Sequence, residues 1–289
     1  MDIQTMDIQT VLIDTLKFTI DFFEKHGLRY YACAGTMLGA VRHHGFIPWD
    51  DDIDVYMPRK DYERLLSLKK EFEGTGYSVV SAQTDRGYYC PFAKVQKDDF
   101  TIWEFKYYRY VLGAYIDVFP LDYYDKDDAT ITKMQYEYAA LFVDYQKSLK
   151  TYSFGDYLQM IRQGDFYGFA KNLAFQMFYK PRREHYYNRW KTADSYLGAD
   201  ETCLKCVNLT QYPGKVFKRE WFDDCIDMPF ADFTIKVPRA YDEYLTLIYG
   251  DYMQLPPIEK RVSDHKHYFI DFTKRLSIEE IQTLKNGTN

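Results

Sequence analysis

The sequence predicts an α+β protein, a mixed sheet with flanking helices joined to a mainly helical, aromatic-rich region. Two patterns carry that expectation. Short candidate strands recur as far as Phe119, whereas Asp127 to Leu197 reads as long helices dense in Tyr, Phe and Met. The 289 residues suffice for one large domain or two modest ones around a real hydrophobic core.

Ile8, Val11, Leu12, Thr15, Leu16, Thr19, Phe22 and Phe23 share one helical stripe, and Gly27 ends it, so the chain opens with an amphipathic helix. A strand follows at Tyr30 to Ala34. Gly35 and Thr36 then form a tight junction into a short helix, Met37 to His43, stopped by Gly45. Asp52 to Met57 is a second strand, in which Ile53, Val55 and Met57 alternate with Asp52, Asp54 and Tyr56, an acidic outer face. Pro58 and Asp61 open a helix to about Phe72. Further strands are expected at Tyr77 to Ala82, Tyr88 to Gln96, Thr101 to Phe105 and Gly113 to Phe119. The helical region breaks near Gly155, Gly164 and Pro181. Short strands near Lys205 to Leu209 and Phe233 to Val237 precede a helix, Arg239 to Tyr249, closed by Gly250. No Pro/Gly/Ser linker separates these parts, so they are expected to pack as one unit.

Acidic side chains number 43 against 37 basic ones, a net charge of -6, which argues against a nucleic-acid polymer as partner. Five scattered cysteines make no disulfide framework and fit a reducing compartment. Cys203-x-x-Cys206 alone is half of a zinc ribbon, with Cys225 and the C-terminal histidines as the only completions. The N-terminus lacks the features of a signal peptide and no run approaches a membrane span, so a cytoplasmic, soluble protein is expected. Met1 to Thr5 is repeated by Met6 to Thr10, which reads as a start-site duplication. Aromatic residues make up 19% of the chain at a mean hydropathy of -0.48; Phe22, Phe23, Phe72 and Phe105 are expected in the core.

Trp49-Asp50-Asp51-Asp52-Ile53-Asp54-Val55 places four carboxylates within five residues, unfavourable unless a cation is bound. On a strand Asp52 and Asp54 share a face with Cα atoms roughly 6.5–7 Å apart, which suits a hard cation such as Mg²⁺. An EF-hand fails because Val55 stands where Gly is needed; a solvated acidic turn leaves the alternation with Ile53 and Val55 unexplained. Downstream, Asp117 lies inside the apolar run Tyr115-Ile116-Asp117-Val118-Phe119 and needs a partner, either a shared metal or a Lys or Arg. Upstream, the small Gly35-Thr36 pair between strand and helix lets backbone N–H groups approach a phosphate. Together these segments read as a metal-dependent phosphoryl or nucleotidyl transfer site.

Three segments, AGTMLGAVRHHGFIPWDDDIDVYMPRKDYERL (residues 34–65), YIDVFPLD (115–122) and VPRAYDEYLTLIYGDYMQLPP (237–257), resemble the LicD family, with its nucleotidyltransferase-like catalytic layout. The resemblance implies transfer of a phosphorylated alcohol, phosphocholine or similar, from a CDP-linked donor to a glycan or lipid-linked glycan; fukutin-related relatives use CDP-ribitol. The division expected is residues 1–126 as nucleotidyltransferase-like catalytic core, 127–204 as a helical acceptor-side region, where the resemblance is weakest, and 205–289 as strands and a helix packing back on the core. Asp52 and Asp54 would hold Mg²⁺, or Mn²⁺, and Asp117 would complete the metal site or take the acceptor's proton. Gly35 and Thr36 would cradle phosphate, with Arg42 a further contact; Arg59 would reach phosphate or pair with the acidic loop. His43 and His44 are either a base or a solvated pair, Asp50 and Asp51 bind a second cation or orient the strand, and Tyr249 to His265 either faces substrate or is a polar loop. Nucleotidyl transfer to a small molecule, or a non-enzymatic carbohydrate- or choline-binding protein, remain the alternatives. Aromatics from Tyr123 to Tyr196 are expected to set acceptor specificity or form a choline cage. Leu158, Ile161, Phe169, Leu173 and Phe178, followed by Lys180, Arg182 and Arg183, are either core or an interfacial helix giving peripheral contact with the inner face of the cytoplasmic membrane.

Overall fold

The computed structural model describes residues 3–287 apart from Tyr196, Asp264 and Lys266; Met1, Asp2 and Tyr196 of the expectations above lie outside the described residues. Helix α1 (Ile3–Lys25) buries the predicted stripe, with Ile8, Leu12, Thr15, Leu16, Thr19, Phe22 and Phe23 all in the core, and Gly27 ends it at φ 61°. Strand β1 (Tyr31–Ala32) runs into α2 (Ala34–His43), β2 (Asp54–Pro58), α3 (Arg59–Ser67) and β3 (Tyr77–Val80). Then come β4 (Ala93–Trp103) and β5 (Leu112–Tyr124). The main sheet has the order β1-β2-β5-β4, with β2 and β5 parallel and the other pairs antiparallel; β3 pairs with the first half of β4.

Helices α4 (Asp128–Leu149), α5 (Phe154–Arg162), α6 (Phe166–Ala174) and α7 (Arg183–Asp194) form the aromatic region, with a π-helical turn over Phe175–Tyr179. Here α4 packs on α7 through Tyr138, Phe142, Tyr145, Tyr187 and Trp190, all buried. These rings, part of the set expected to include a specificity surface, are interior, with Trp190 5.0 Å from Phe142 between centroids in an edge-on contact, whereas Tyr136, Phe154, Phe166, Tyr167 and Phe178 of the same set are exposed. Strands β6 (Lys205–Val207) and β7 (Phe217–Lys218) extend β5 on its far end, and β8 (Cys225–Phe230) and β9 (Phe233–Pro238) form a separate hairpin. Helix α8 (Tyr241–Tyr249), β10 (Phe269–Asp271), which pairs with the second half of β4, and α9 (Ile278–Gly287) complete the chain. One hydrophobic core runs from Ile8 to Leu245 and draws on all three sequence regions.

Several expectations are corrected. Helix α2 begins at Ala34, not Met37, because Ala34 takes φ 48° and turns the chain out of β1 at once, its N–H donated to the Tyr244 hydroxyl. Strand β2 has no solvent face: it lies between β1 and β5 and is buried throughout, so the alternation does not separate inside from outside. The strands expected at Tyr88 to Gln96 and Thr101 to Phe105 are a single β4 with a bulge between Lys97 and Ile102, where Gly113 lets the Lys97 carbonyl approach to within 1.9 Å of where a Cβ would stand. Strand β8 carries Pro229, and no strand is predicted there. Phe105 is half-exposed, past the end of β4, packing edge-on against Tyr89 and Tyr108.

Candidate active site

The acidic segment enters β2 from a loop that α1 and α2 hold in place. Gln9 donates from Nε2 to the Asp50 carbonyl at 2.7 Å. The Asp54 N–H donates to the Thr36 hydroxyl at 2.8 Å, and Cys33 N–H to the Asp54 carbonyl at 3.1 Å, so the first turn of α2 is stitched to the start of β2. Gly35 is needed for a related reason: a Cβ there would lie 2.5 Å from the Asp50 carboxylate. Gly35 and Thr36, expected as a phosphate cradle, thus position Asp50 and Asp54.

The parallel register sets Asp54 beside Asp117, both buried. Burial and the charges of Asp52, Asp117 and Asp50 push the Asp54 carboxyl well above the usual range. Burial and Asp52 likewise push Asp50 up to about 8. Asp117 has the cationic partner that its apolar strand demands: Lys94 of β4 lies 2.6 Å from Oδ1. Burial still outweighs that ion pair, and Asp117 is pushed up to about 6. Lys94 is itself buried, 3.4 Å from the centroid of Tyr115, and 3.8 Å from Glu104, whose carboxylate accepts from the Tyr89 and Tyr115 hydroxyls. Sequence reading missed Lys94 and Glu104; the alternation Ala93, Lys94, Val95, Gln96 placed a charge in a strand without saying what it faced.

A segment distant in sequence closes on the loop. His265 Nδ1 lies 2.8 Å from Asp51 Oδ1, and its Nε2 lies 3.7 Å from Asp52. The bond to Asp51 raises His265 to about 9 against the opposing effect of burial, with help from Asp52. Burial would raise Asp51, but His265, His267 and Ser263 hold it well below the usual range. This segment is the part of Tyr249 to His265 read as facing substrate or as polar loop, and the structure brings it to the carboxylates. His267 Nε2 stands 3.7 Å from Asp51, too far to bond, and among the described residues neither of its ring nitrogens has a hydrogen-bond partner. Gln211 donates to Asp54 at 3.4 Å, while its buried Oε1 has no partner among the described residues.

Arg42 and Trp49 line a neighbouring cavity of about 430 Å³ with Leu38, Tyr249 and Tyr252. Arg42 donates to the Tyr252 carbonyl at 2.7 Å, and Arg261 lies 5.6 Å over the Trp49 ring. Among the described residues neither guanidinium has a carboxylate ion-pair partner; burial, and secondarily Arg261, hold Arg42 below its ordinary value. Arg59 does neither of the things expected of it. It is buried past the far end of β2, gripping Asp122 of β5 with Nε and Nη2 at 2.7 and 2.8 Å, with Asp194 of α7 at 3.8 Å. His43 faces Trp49 edge-on, and His44 is exposed at φ 55° as the C-cap of α2. Among the described residues no three His, Cys, Asp or Glu side chains converge to hold a metal ion as they stand, so the three-carboxylate set Asp52, Asp54 and Asp117 is not preassembled; Asp117 turns an oxygen to Lys94 instead. The same holds at Cys203 and Cys206, where Cys206 is buried in β6 and Cys203 half-buried.

Residues 27–161 match the family model for the LicD/FKTN/FKRP nucleotidyltransferase domain. The lipopolysaccharide cholinephosphotransferase LicD of Haemophilus influenzae is 27% identical over 269 residues, 89% of this chain and 94% of that protein. Human ribitol 5-phosphate transferase FKRP is 31% identical over 77 residues, 27% of this chain and 14% of that protein. An uncharacterized protein of Rickettsia prowazekii is 40% identical over 68 residues, 24% of this chain and 26% of that protein. The matched span contains β2 and β5 with Asp54 and Asp117, and the likeness to LicD runs along most of the chain: residues 27–161 are a nucleotidyltransferase domain of the LicD family.

Proposed function

We propose that the chain is a divalent-metal-dependent phosphotransferase that moves a phosphorylated alcohol from a CDP-linked donor to a hydroxyl of a cell-surface glycan or its lipid-linked precursor. One observation carries this reading: buried Asp54 and Asp117 stand side by side at the mouth of the Asp50–Asp52 run, a crowd of carboxylates in which Lys94 faces Asp117 and His265 faces Asp51. Such crowding fits a hard cation, and the orphaned Gln211 Oε1 beside Asp54 fits a further polar ligand. Asp52 and Asp54 would hold Mg²⁺ or Mn²⁺; two carboxylates suffice where donor phosphates supply the other oxygens, and the ion would neutralise charge on the diphosphate.

The residues divide the remaining work. Arg42 and Arg261, lacking carboxylate partners, bind donor phosphate, and Trp49 and Tyr249 wall the cavity that receives the rest of the donor. Asp117, held by Lys94 and made more basic by burial, takes the proton of the acceptor hydroxyl in its ionised form as the hydroxyl oxygen bonds to phosphorus. The phosphorus–oxygen bond to CMP breaks, and CMP leaves with the electron pair. Names of relatives, a cholinephosphotransferase and a ribitol 5-phosphate transferase, support both the reaction class and glycan acceptors.

A thermal-shift panel with Mg²⁺ tests the donor. CDP-choline, CDP-ribitol or CDP-glycerol should raise the unfolding midpoint, and the Asp52→Asn/Asp54→Asn variant should lose the Mg²⁺-dependent part. Stabilisation by nucleoside triphosphates with none from any CDP-alcohol would overturn the proposal in favour of nucleotidyl transfer.

A further inference from the structure

The hairpin of α5 and α6 is inside out. Its buried positions are Met160 and the small or polar Asp156, Gly168 and Asn172, whereas Phe154, Phe166 and Tyr167 are 78%, 66% and 77% exposed. Ile161, Leu173, Met177 and Phe178 add to the same exposed set. A water-soluble hairpin normally turns such residues inward, and an apolar patch this dense marks an interaction surface. The buried polar groups are all satisfied: Asp156 pairs with Lys106 and caps α5 through Ser153, and Asn172 donates to Met160 Sδ at 3.6 Å. The arrangement is therefore built: Asp156 is spent on Lys106 and the cap of α5, and Asn172 joins α6 to α5.

Charge identifies what covers it. Residues 154–183 carry five basic and two acidic side chains in a chain of net charge -6. One of the two acids is Asp156, already paired, and the other, Asp165, caps α6. Among the described residues Arg162, Lys171, Lys180 and Arg182 make no ion pair; Arg182 donates to the Phe178 carbonyl at 2.8 Å and Lys180 to Gln176 at 3.4 Å. Burial and the neighbouring cations Lys171 and Lys147 lower the ammonium of Lys150. Aromatic and aliphatic side chains framed by uncompensated cations match the acyl boundary and headgroups of an anionic bilayer. No described helix is long and apolar enough to cross a membrane, so the hairpin would lie on the surface. We propose that the α5–α6 hairpin and the π-helical turn after it dock the protein on an anionic lipid surface.

Co-sedimentation of the full chain with vesicles tests this. Binding to 70:30 phosphatidylcholine:phosphatidylglycerol should exceed binding to pure phosphatidylcholine by tenfold or more and weaken in 0.5 M salt. Lys180→Gln/Arg182→Gln should weaken it about tenfold or more, and Phe154→Ser/Phe166→Ser/Tyr167→Ser should abolish it while leaving the far-UV spectrum unchanged. Phe166→Trp should shift its emission to the blue on the anionic vesicles. Equal sedimentation with and without vesicles, or a triple variant that binds like the wild type, would overturn the proposal. So would a dimer in sedimentation velocity that the triple variant dissociates, without vesicle binding, since a second copy would then be the occupant. The vesicles carry no donor or acceptor, so failure here leaves the transferase reading intact.

Discussion

Asp54 illustrates how a candidate site residue is held against its own electrostatics. Burial beside Asp52, Asp117 and Asp50 makes its ionised form costly, and the fold tolerates this because the Asp54 N–H and carbonyl are both engaged, to Thr36 and Cys33. Replacement by Asn removes the charge and keeps the shape. We expect Asp54→Asn to lower turnover at least a thousandfold while raising the unfolding midpoint by roughly 2–4 °C, the shift of about 1 kcal/mol in a chain of this size. Steady-state rates and differential scanning fluorimetry on one preparation check both halves; a fall in both would mean that the carboxylate is structural. His265 works in the opposite direction. Its value rises from 6.5 to about 9 on folding, so the native state binds the extra proton, and the pair with Asp51 stabilises fully below pH 6.5. That contribution fades as pH climbs through about 9. The midpoint difference between wild type and His265→Asn should thus be constant below pH 6.5 and vanish above pH 9.

At the scale of elements, the parallel pairing of β2 with β5 does the decisive work, since one register places Asp54 against Asp117 and, five residues on, Arg59 near Asp122. The second pair is a clamp. Arg59 joins α3 to β5 and reaches Asp194 of α7, so the helical region is fastened to the sheet by buried charges. Arg59→Met leaves Asp122 buried and unpaired, and should cost about 3–5 kcal/mol in urea unfolding. The Michaelis constant for the donor should stay unchanged in the folded fraction; a rise of tenfold would restore Arg59 to the phosphate site. The sequence made Asp52, Asp54 and Asp117 legible because like charges inside apolar strands are costly without a purpose. It left Lys94 and His265 obscure, because a lone lysine in a strand and a histidine in a polar loop gain meaning only from what stands opposite them.

Across the whole molecule the three sequence regions share one core, from Ile8 of α1 through Trp190 of α7 to Leu245 of α8. We expect a single calorimetric transition, and Trp190→Ala should shift all of it by about 3–5 kcal/mol rather than split off a separate helical transition. The sequence alone determined the α+β class, the opening helix stripe and the carboxylate-bearing strands, because periodicity and the cost of clustered or buried charge are local properties. Only tertiary structure decided that Arg59 clamps Asp122, which rings of the helical region are interior and which stand exposed, and that His265 closes over the acidic loop. Those outcomes depend on strand register and on contacts between residues far apart in sequence, 63 positions for Arg59 and Asp122 and 214 for Asp51 and His265, which no local pattern encodes.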